Sequence, residues 1–240
     1  MNKLKGLVFL LVLVALTSEG LAQRQTGIDD PFARKWELSV HGGWSYRLAK
    51  LSDQVPSDLI NYGNKLRSGY HLGADVDFYW MENMGIGLKY SRFGSEGSAE
   101  NVILIDNTTG QVIGQGDMGD DIVVHFIAPS FNYRYIFPRS KAALQAHYAI
   151  GFLSYINHSL LVGQYFTTTA QNFGTSLGAH LTVPLGQRLS FMAGATLLGG
   201  SFGEFKIHRS GMIQTIKAED DNERENVSRI DISAGLRFRL

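Results

Sequence analysis

Ionisable side chains recur at every second position in several short stretches of this 240-residue chain, and their types limit the chemistry open to it. Glu37, His41 and Arg47 share one phase, as do Asp75 and Asp77, while Lys89, Arg134, Arg229, Asp231, Arg237 and Arg239 complete a set of four acids and six bases around the histidine. Charges of both signs gathered on one face of a sheet form either a paired structural network or the lining of a conducting path. The paired network is the leading expectation. A nucleic-acid surface is excluded, because acidic and basic residues number 22 each and the formal charge is zero.

His147 and His180 fall in phase with this set, each four or five residues from a short turn, which makes them candidate cross-strand neighbours. Two imidazoles without a third ligand are a poor metal site, so hydrogen bonding is their expected role and no metal or cofactor is expected. Ser154, His158, Ser159, Glu204 and His208 are the residues from which a nucleophile, base and acid could be assembled. His158 and Ser159, however, are chain neighbours and point to opposite faces of a strand. No spacing fixes the five together, and the expectation is a nonenzymatic protein with no catalytic residue.

The elements that position these groups are strands with two unlike faces. From Arg229 to Leu240 the chain alternates strictly, with Ile230, Ile232, Ala234, Leu236, Phe238 and Leu240 on one face and the charged residues on the other. The same period predicts strands over 36–48, 69–80, 85–93, 122–135, 143–156, 173–185 and 189–199. Phase is least regular over 122–135, where a bulge near Pro129 would reconcile the two halves. Connections alternate between long, roughly 20, 28, 16 and 28 residues, and short, roughly 4, 7 and 3. A helical turn is expected around 57–60. Within 94–121 a separate hairpin is expected to extend above the spanning strands, because each of its arms is shorter than the roughly 9–11 residues a crossing needs. The alternative is a ten-stranded ring.

Lys3 and Lys5 precede an apolar run from Leu7 to Leu16 and small residues at Gly20 and Ala22, the pattern of a signal peptide over residues 1–22. Removing it takes the count from 22 bases and 22 acids to 20 and 21. Residues 23–35 read as a polar lead and residues 36–240 as one domain. There is no cysteine to staple it. The mean hydropathy is only −0.06, as alternating strands hide their apolar face from an average.

Ser233, Gly235, Phe238 and Leu240 together form a polar, Gly, apolar, apolar pattern that resembles the recognition strand of bacterial outer-membrane β-barrel proteins, with Leu240 in place of the usual terminal aromatic. The chain is similar to the small, porin-like OmpA/OmpX-type barrels as a class. That resemblance implies an all-β fold, an eight-stranded antiparallel up-and-down transmembrane β-barrel in the outer membrane of a double-membraned bacterium, with periplasmic termini. It implies outer-membrane lipid and the barrel-assembly machinery as partners, the latter reading those four residues, and leaves room for a ligand at the loops. The function it implies is structural or loop-mediated surface interaction around a lumen filled by polar side chains. Narrow porin-like transport is the alternative, and a lipid-modifying outer-membrane enzyme the third reading.

Overall fold

Strands form where apolar and polar side chains alternate, and eight of them hydrogen-bond into a closed antiparallel ring. The computed structural model describes residues 32, 34–49, 59–106, 109–138, 140–209, 211–218 and 224–240. The signal segment and all of the 23–35 lead except Phe32, Arg34 and Lys35 lie outside these residues. The ring contains β1 (Trp36–Arg47), β2 (Ser68–Tyr79), β3 (Met84–Ile105), β4 (Val112–Ile136), β5 (Ala143–Leu161), β6 (Gln164–Pro184) and β7 (Leu189–Gly199). Four short strands follow in the last connection: β8 (Ser201–Phe202), β9 (Glu204–Arg209), β10 (Met212–Lys217) and β11 (Glu225–Asn226). The eighth ring strand, β12 (Arg229–Arg239), pairs with β7 on one side and β1 on the other, in the registers Phe238↔Leu189 and Arg239↔Glu37.

Burial is inverted relative to a water-soluble domain. Leu38, Val40, Leu72, Ile86, Leu88, Ile150, Leu177 and Leu236 are all exposed on the outer surface, whereas Arg134, Arg229, Arg239 and Glu37 are buried within the ring. An outer face this apolar needs hydrocarbon as its solvent, and an eight-stranded ring is just wide enough for side chains to fill. Aromatic residues gather at the two ends of that face. Trp36 packs on Phe78, and Trp80 on Phe131, at the end carrying the short turns; Trp44 stacks on Tyr46, and Phe152 meets Phe173 edge-on, at the other. These are the two girdles of a transmembrane barrel.

Four of the expected boundaries are corrected. The β3–β4 register runs unbroken from Met84↔Tyr133 to Ala99↔Met118 and resumes at Val102. Residues 94–105 and 112–121 are therefore the same two strands continued above the ring, an extension as expected but not a separate hairpin. Residues 157–172, expected as a polar loop, are likewise strand, with β5 and β6 turning only at Val162 and Gly163. The bulge near Pro129 does not form: Ile127↔Phe152 and Ser130↔Ala149 keep one register, as does Leu88↔Pro129. The helical turn expected around 57–60 lies partly outside the described residues; from Ile60 the chain forms a helix, α1 (Ile60–Arg67), whose Leu66 packs over Gly97 and whose Tyr62 hydroxyl donates to Asp120.

Above the ring, β3 to β6 form a wall that β9 extends through Thr167↔His208 and Thr169↔Lys206, with β10 paired to β9 as the outermost strand. β1, β2, β7 and β12 stop at 11 or 12 residues, close to what a crossing requires. β3 to β6 run for 19 to 25 residues, so roughly 10 residues of each, about 33 Å of strand, stand beyond the ring.

Candidate functional site

The lumen is built in layers, and the inward positions of β1 mark their order. At the short-turn end, Glu37 is completely buried and accepts hydrogen bonds from Arg134 Nη1 at 2.9 Å, Arg239 Nε at 3.1 Å, Arg237 Nη1 at 3.1 Å and Gln145 Nε2 at 3.0 Å. One carboxylate thus holds three guanidinium groups. Arg134 also donates to the carbonyls of Glu82 and Phe32 and lies 4.0 Å from the Tyr79 ring centroid, while Arg239 lies 4.2 Å from that of Phe32. Asp77 accepts from Asn132 at 2.7 Å and lies 3.8 Å from Arg237.

The next layer pairs Lys89 with Asp75 at 2.8 Å, as their direct cross-strand register requires, and Ser39 donates to Asp75 at 3.3 Å. Above it, Arg229 pairs with Asp231 at 3.0 Å on its own strand, and Ser45 donates to Asp231. His41, His147 and His180 lie among these groups, together with His71. His147 and His180 are diagonal rather than direct neighbours, since His180 pairs with Gln145 and His147 with Gly178; their rings stack at 5.5 Å. Glycine across the strand makes this packing feasible: a Cβ at Gly73 would sit 2.3 Å from His41 Cε1, and one at Gly178 would sit 2.4 Å from His147 Cε1.

The expectation of a uniformly polar lumen is corrected in its upper half. Phe93, Val124, Phe126, Leu153, Leu198 and Phe202 form a buried apolar cluster across the ring. Phe202 comes from β8 in the last connection, which folds back over the ring by pairing with β11. Arg47, expected in the common network, lies with Glu225 of β11, which it contacts directly, and Arg67 of α1 donates to the Arg47 carbonyl. A charged floor and a histidine layer are thus followed along the lumen by a ceiling in which the apolar cluster packs beside the buried Arg229–Asp231 pair, Arg229 lying 5.1 Å from the Phe93 ring centroid.

The catalytic candidates are not brought together. Ser159 is buried and donates to Asp120, which also accepts from Asn157, whereas His158 points outward to Thr167 at 3.1 Å. His208 lies 3.4 Å from Thr169, and Glu204 pairs with Lys217. Among the described residues no group of three or more His, Asp or Glu side chains has metal-binding geometry. Several residues of the lumen went unidentified as site residues by sequence reasoning. His71, Ser45, Asn132 and Gln145 fall on the inward phase of their strands, so alternation places them in the lumen without marking them as partners of the charged set, but Phe32 lies in a segment without any period.

The four residues that resemble a recognition strand occupy both faces of β12. Phe238 and Leu240 face outward, Ser233 faces the lumen, and Gly235 allows close approach to β1, where an added Cβ would lie 2.2 Å from the Val40 carbonyl oxygen.

No protein-family model and no curated protein matches the sequence. Solved structures do match by shape. A major outer membrane protein from Thermus thermophilus superposes with a TM-score of 0.56 at 11% identity, covering 87% of this chain and 100% of the other. The outer membrane protein OprG from Pseudomonas aeruginosa gives 0.54 at 11% identity, with 86% and 98% covered. Ring, inverted burial and structural likeness agree: by fold this chain is a small β-barrel of the outer-membrane type.

Proposed function

We propose that the protein is a nonenzymatic integral protein of a bacterial outer membrane, in which a plugged barrel anchors an extended sheet for contacts outside the cell. The observation that carries this reading is the lumen, filled successively by paired charges, imidazoles and the Phe93–Phe126–Leu153 cluster. Such an interior suits an anchor better than a water-filled path. Above it, Ile103, Ile105, Val112 and Ile113 expose apolar surface at the tip of the wall, and Met212 and Ile213 do so on β10, which pairs with β9 alone among the described strands. Exposed apolar patches and a strand with one free edge are the surface features through which sheets recruit partners.

In this reading the short turns and the Trp36 and Leu240 ends of β1 and β12 lie in the periplasm, outer-membrane lipid covers the apolar face, and the assembly machinery reads the Ser233–Gly235–Phe238–Leu240 strand. The absence of native cysteine gives a direct topology test. Cysteines introduced at Thr109 and Met212 should react with a membrane-impermeant reagent on intact cells, whereas those at Asn83 and Gln187 should react only after lysis. The reverse pattern would place the wall in the periplasm.

Conductance tests the plug itself. Purified protein in planar bilayers should give no steady channels at neutral pH, and replacing the ceiling residue Phe126 with Ser should leave it closed, because the Glu37 network seals the other end independently. Steady, ion-selective channels in the wild type would instead establish the porin-like alternative.

A further inference from the structure

Up to the outer aromatic girdle, the outward face of the ring strands carries one Lys, Arg, Asp or Glu among the described residues: Arg92 of β3. It is half-buried, and among the described residues it makes no ion pair. Its Nη1 donates to the Tyr70 hydroxyl of β2 at 2.8 Å, and its Cζ lies 5.7 Å from the Tyr70 ring centroid. Register fixes its depth. Leu72, Arg92, His125 and Ser154 form one cross-strand row. The next outward row toward the short turns holds Tyr90, Ile127, Phe152 and Phe173, and the next toward the wall holds Trp44, Tyr70 and Gly94. Arg92 therefore stands inside the girdle, at the level of lipid headgroups rather than of their chains. A lone cation on a lipid face has no water shell to screen it on one side, and an anion at that level is what stabilises it.

The surroundings of Arg92 are arranged rather than incidental. The Tyr70 ring lies across Gly94, where an added Cβ would be 2.8 Å from Tyr70 Cζ and 2.9 Å from its hydroxyl oxygen, so glycine at 94 is what lets Tyr70 hold the guanidinium. On the other side, the direct cross-strand partner of Arg92 is His125, whose Nδ1 lies 2.9 Å from the Tyr90 hydroxyl with the two rings stacked at 6.0 Å. When that hydroxyl donates to Nδ1, the imidazole proton sits on Nε2, a donor beside the remaining N–H groups of Arg92. Arg92 and His125 together offer the planar fork and the second donor that suit phosphate oxygens. Toward the short turns the same face is apolar, with Leu72, Leu88 and Ile127 all exposed. Toward the wall it ends in the paired acids Glu96 and Asp121, four residues further along their strands, or roughly 13 Å. One anion fits between that apolar track and those carboxylates, and a second one nearer the wall is repelled.

We propose that Arg92, Tyr70 and His125 form a docking site for the phosphate of a membrane lipid, whose acyl chains run down the barrel over Leu72, Leu88 and Ile127. Arg92 supplies the charge, Tyr70 positions it and His125 donates the second hydrogen bond. That this lipid belongs to the outer leaflet rests on the outer-membrane reading above.

Native mass spectrometry of the detergent-solubilised protein tests the site, with dimyristoyl phosphatidic acid as the probe and dimyristoylglycerol, which has the same chains without the phosphate, as its comparison. The wild type is expected to retain one phosphatidic acid roughly tenfold more tightly than the diacylglycerol, and Arg92→Gln to lose roughly that tenfold, the effect of one charge-assisted contact. Arg188→Gln, which removes a cation from the short turn between β6 and β7, should leave the affinity unchanged. Should Arg92→Gln fail to fold, Tyr70→Phe, which removes only the positioning hydroxyl, must weaken phosphatidic acid binding without altering that of the diacylglycerol. Equal retention of the two lipids, an Arg92→Gln protein that binds as the wild type does, or an equal loss in Arg188→Gln overturns the site. Inorganic phosphate that displaces the lipid at equal concentration overturns its assignment to a lipid. The measurement is blind to orientation, so its failure removes the site alone, whereas a reversed cysteine-labelling pattern removes the leaflet and leaves the binding intact.

Discussion

Replacing Glu37 with Ala is expected to be the most damaging single substitution in the barrel, lowering its stability by roughly 3–5 kcal/mol, the range for removing one partner of a buried ion pair. The size follows from how the three arginines are otherwise supported. Arg134 keeps the Glu82 and Phe32 carbonyls, and Arg237 keeps Asp77 at 3.8 Å. Among the described residues Arg239 keeps no carboxylate: its Nη1 and Nη2 already lack hydrogen-bond partners there, and the Phe32 ring lies against it with its centroid 4.2 Å away. The loss should read as a fall of about 6–20 °C in melting temperature. Glu37→Gln retains the shape and an acceptor but not the charge, and should give an intermediate value. Adding Arg239→Met to Glu37→Gln should recover part of the loss, because the least supported cation then leaves with its counter-charge. A Glu37→Ala protein that melts with the wild type would mean that water already solvates these arginines and that the floor of the lumen is open.

How much of this was legible beforehand depends on what each strand faces. β1 and β12 separate lipid from a polar lumen, so alternation revealed their faces and nearly their ends; for β7 it gave the bounds alone, 189–199, which coincide with those observed. β4 defeated the same reading because its inward side chains change character midway, from Ser130, Asn132 and Arg134 to Ile122, Val124, Phe126 and Ala128. With apolar residues on both faces the period vanishes and imitates a bulge. The wall was missed for the opposite reason. Beyond the membrane much of both faces of β3 to β6 meets water, so Glu96–Ala99 and Gln164–Thr169 look like loop even though they pair continuously. α1 begins after Leu59 with no side-chain cap, so the helical turn expected around 57–60 was not extended to Arg67. Faces alone do not choose partners. That Arg237 and Arg239 meet carboxylates follows from the charges, but the convergence of both on Glu37 together with Arg134 of a distant strand follows from ring closure and the tilt of the strands, neither of which periodicity encodes.

Deleting Phe238, Arg239 and Leu240 is expected to prevent accumulation of the folded barrel altogether, because these residues close the ring. Phe238 pairs with Leu38 of β1 and Leu189 of β7, Arg239 pairs with Glu37, and the Leu240 amide donates to the Trp36 carbonyl at 3.0 Å. Removing them opens the short-turn end of β1 and β7 to lipid, where an unpaired backbone group costs several kcal/mol, and also takes Arg239 from the Glu37 cluster. The test is the amount of heat-modifiable, membrane-embedded protein after cell fractionation, where wild-type levels would show that the β1–β12 seam tolerates a gap. A second variant, Phe238→Ser with Leu240→Ser, separates ring closure from recognition by the assembly machinery. Both side chains point to lipid rather than into the lumen, so the backbone ladder and the Arg239–Glu37 pair survive the change. That variant should refold from urea into detergent nearly as well as the wild type yet accumulate poorly in cells. If it instead refolds poorly in detergent as well, the two residues act through lipid burial and the proposed recognition role is removed; if it accumulates normally in cells, the outward apolar positions of β12 are not what the machinery reads.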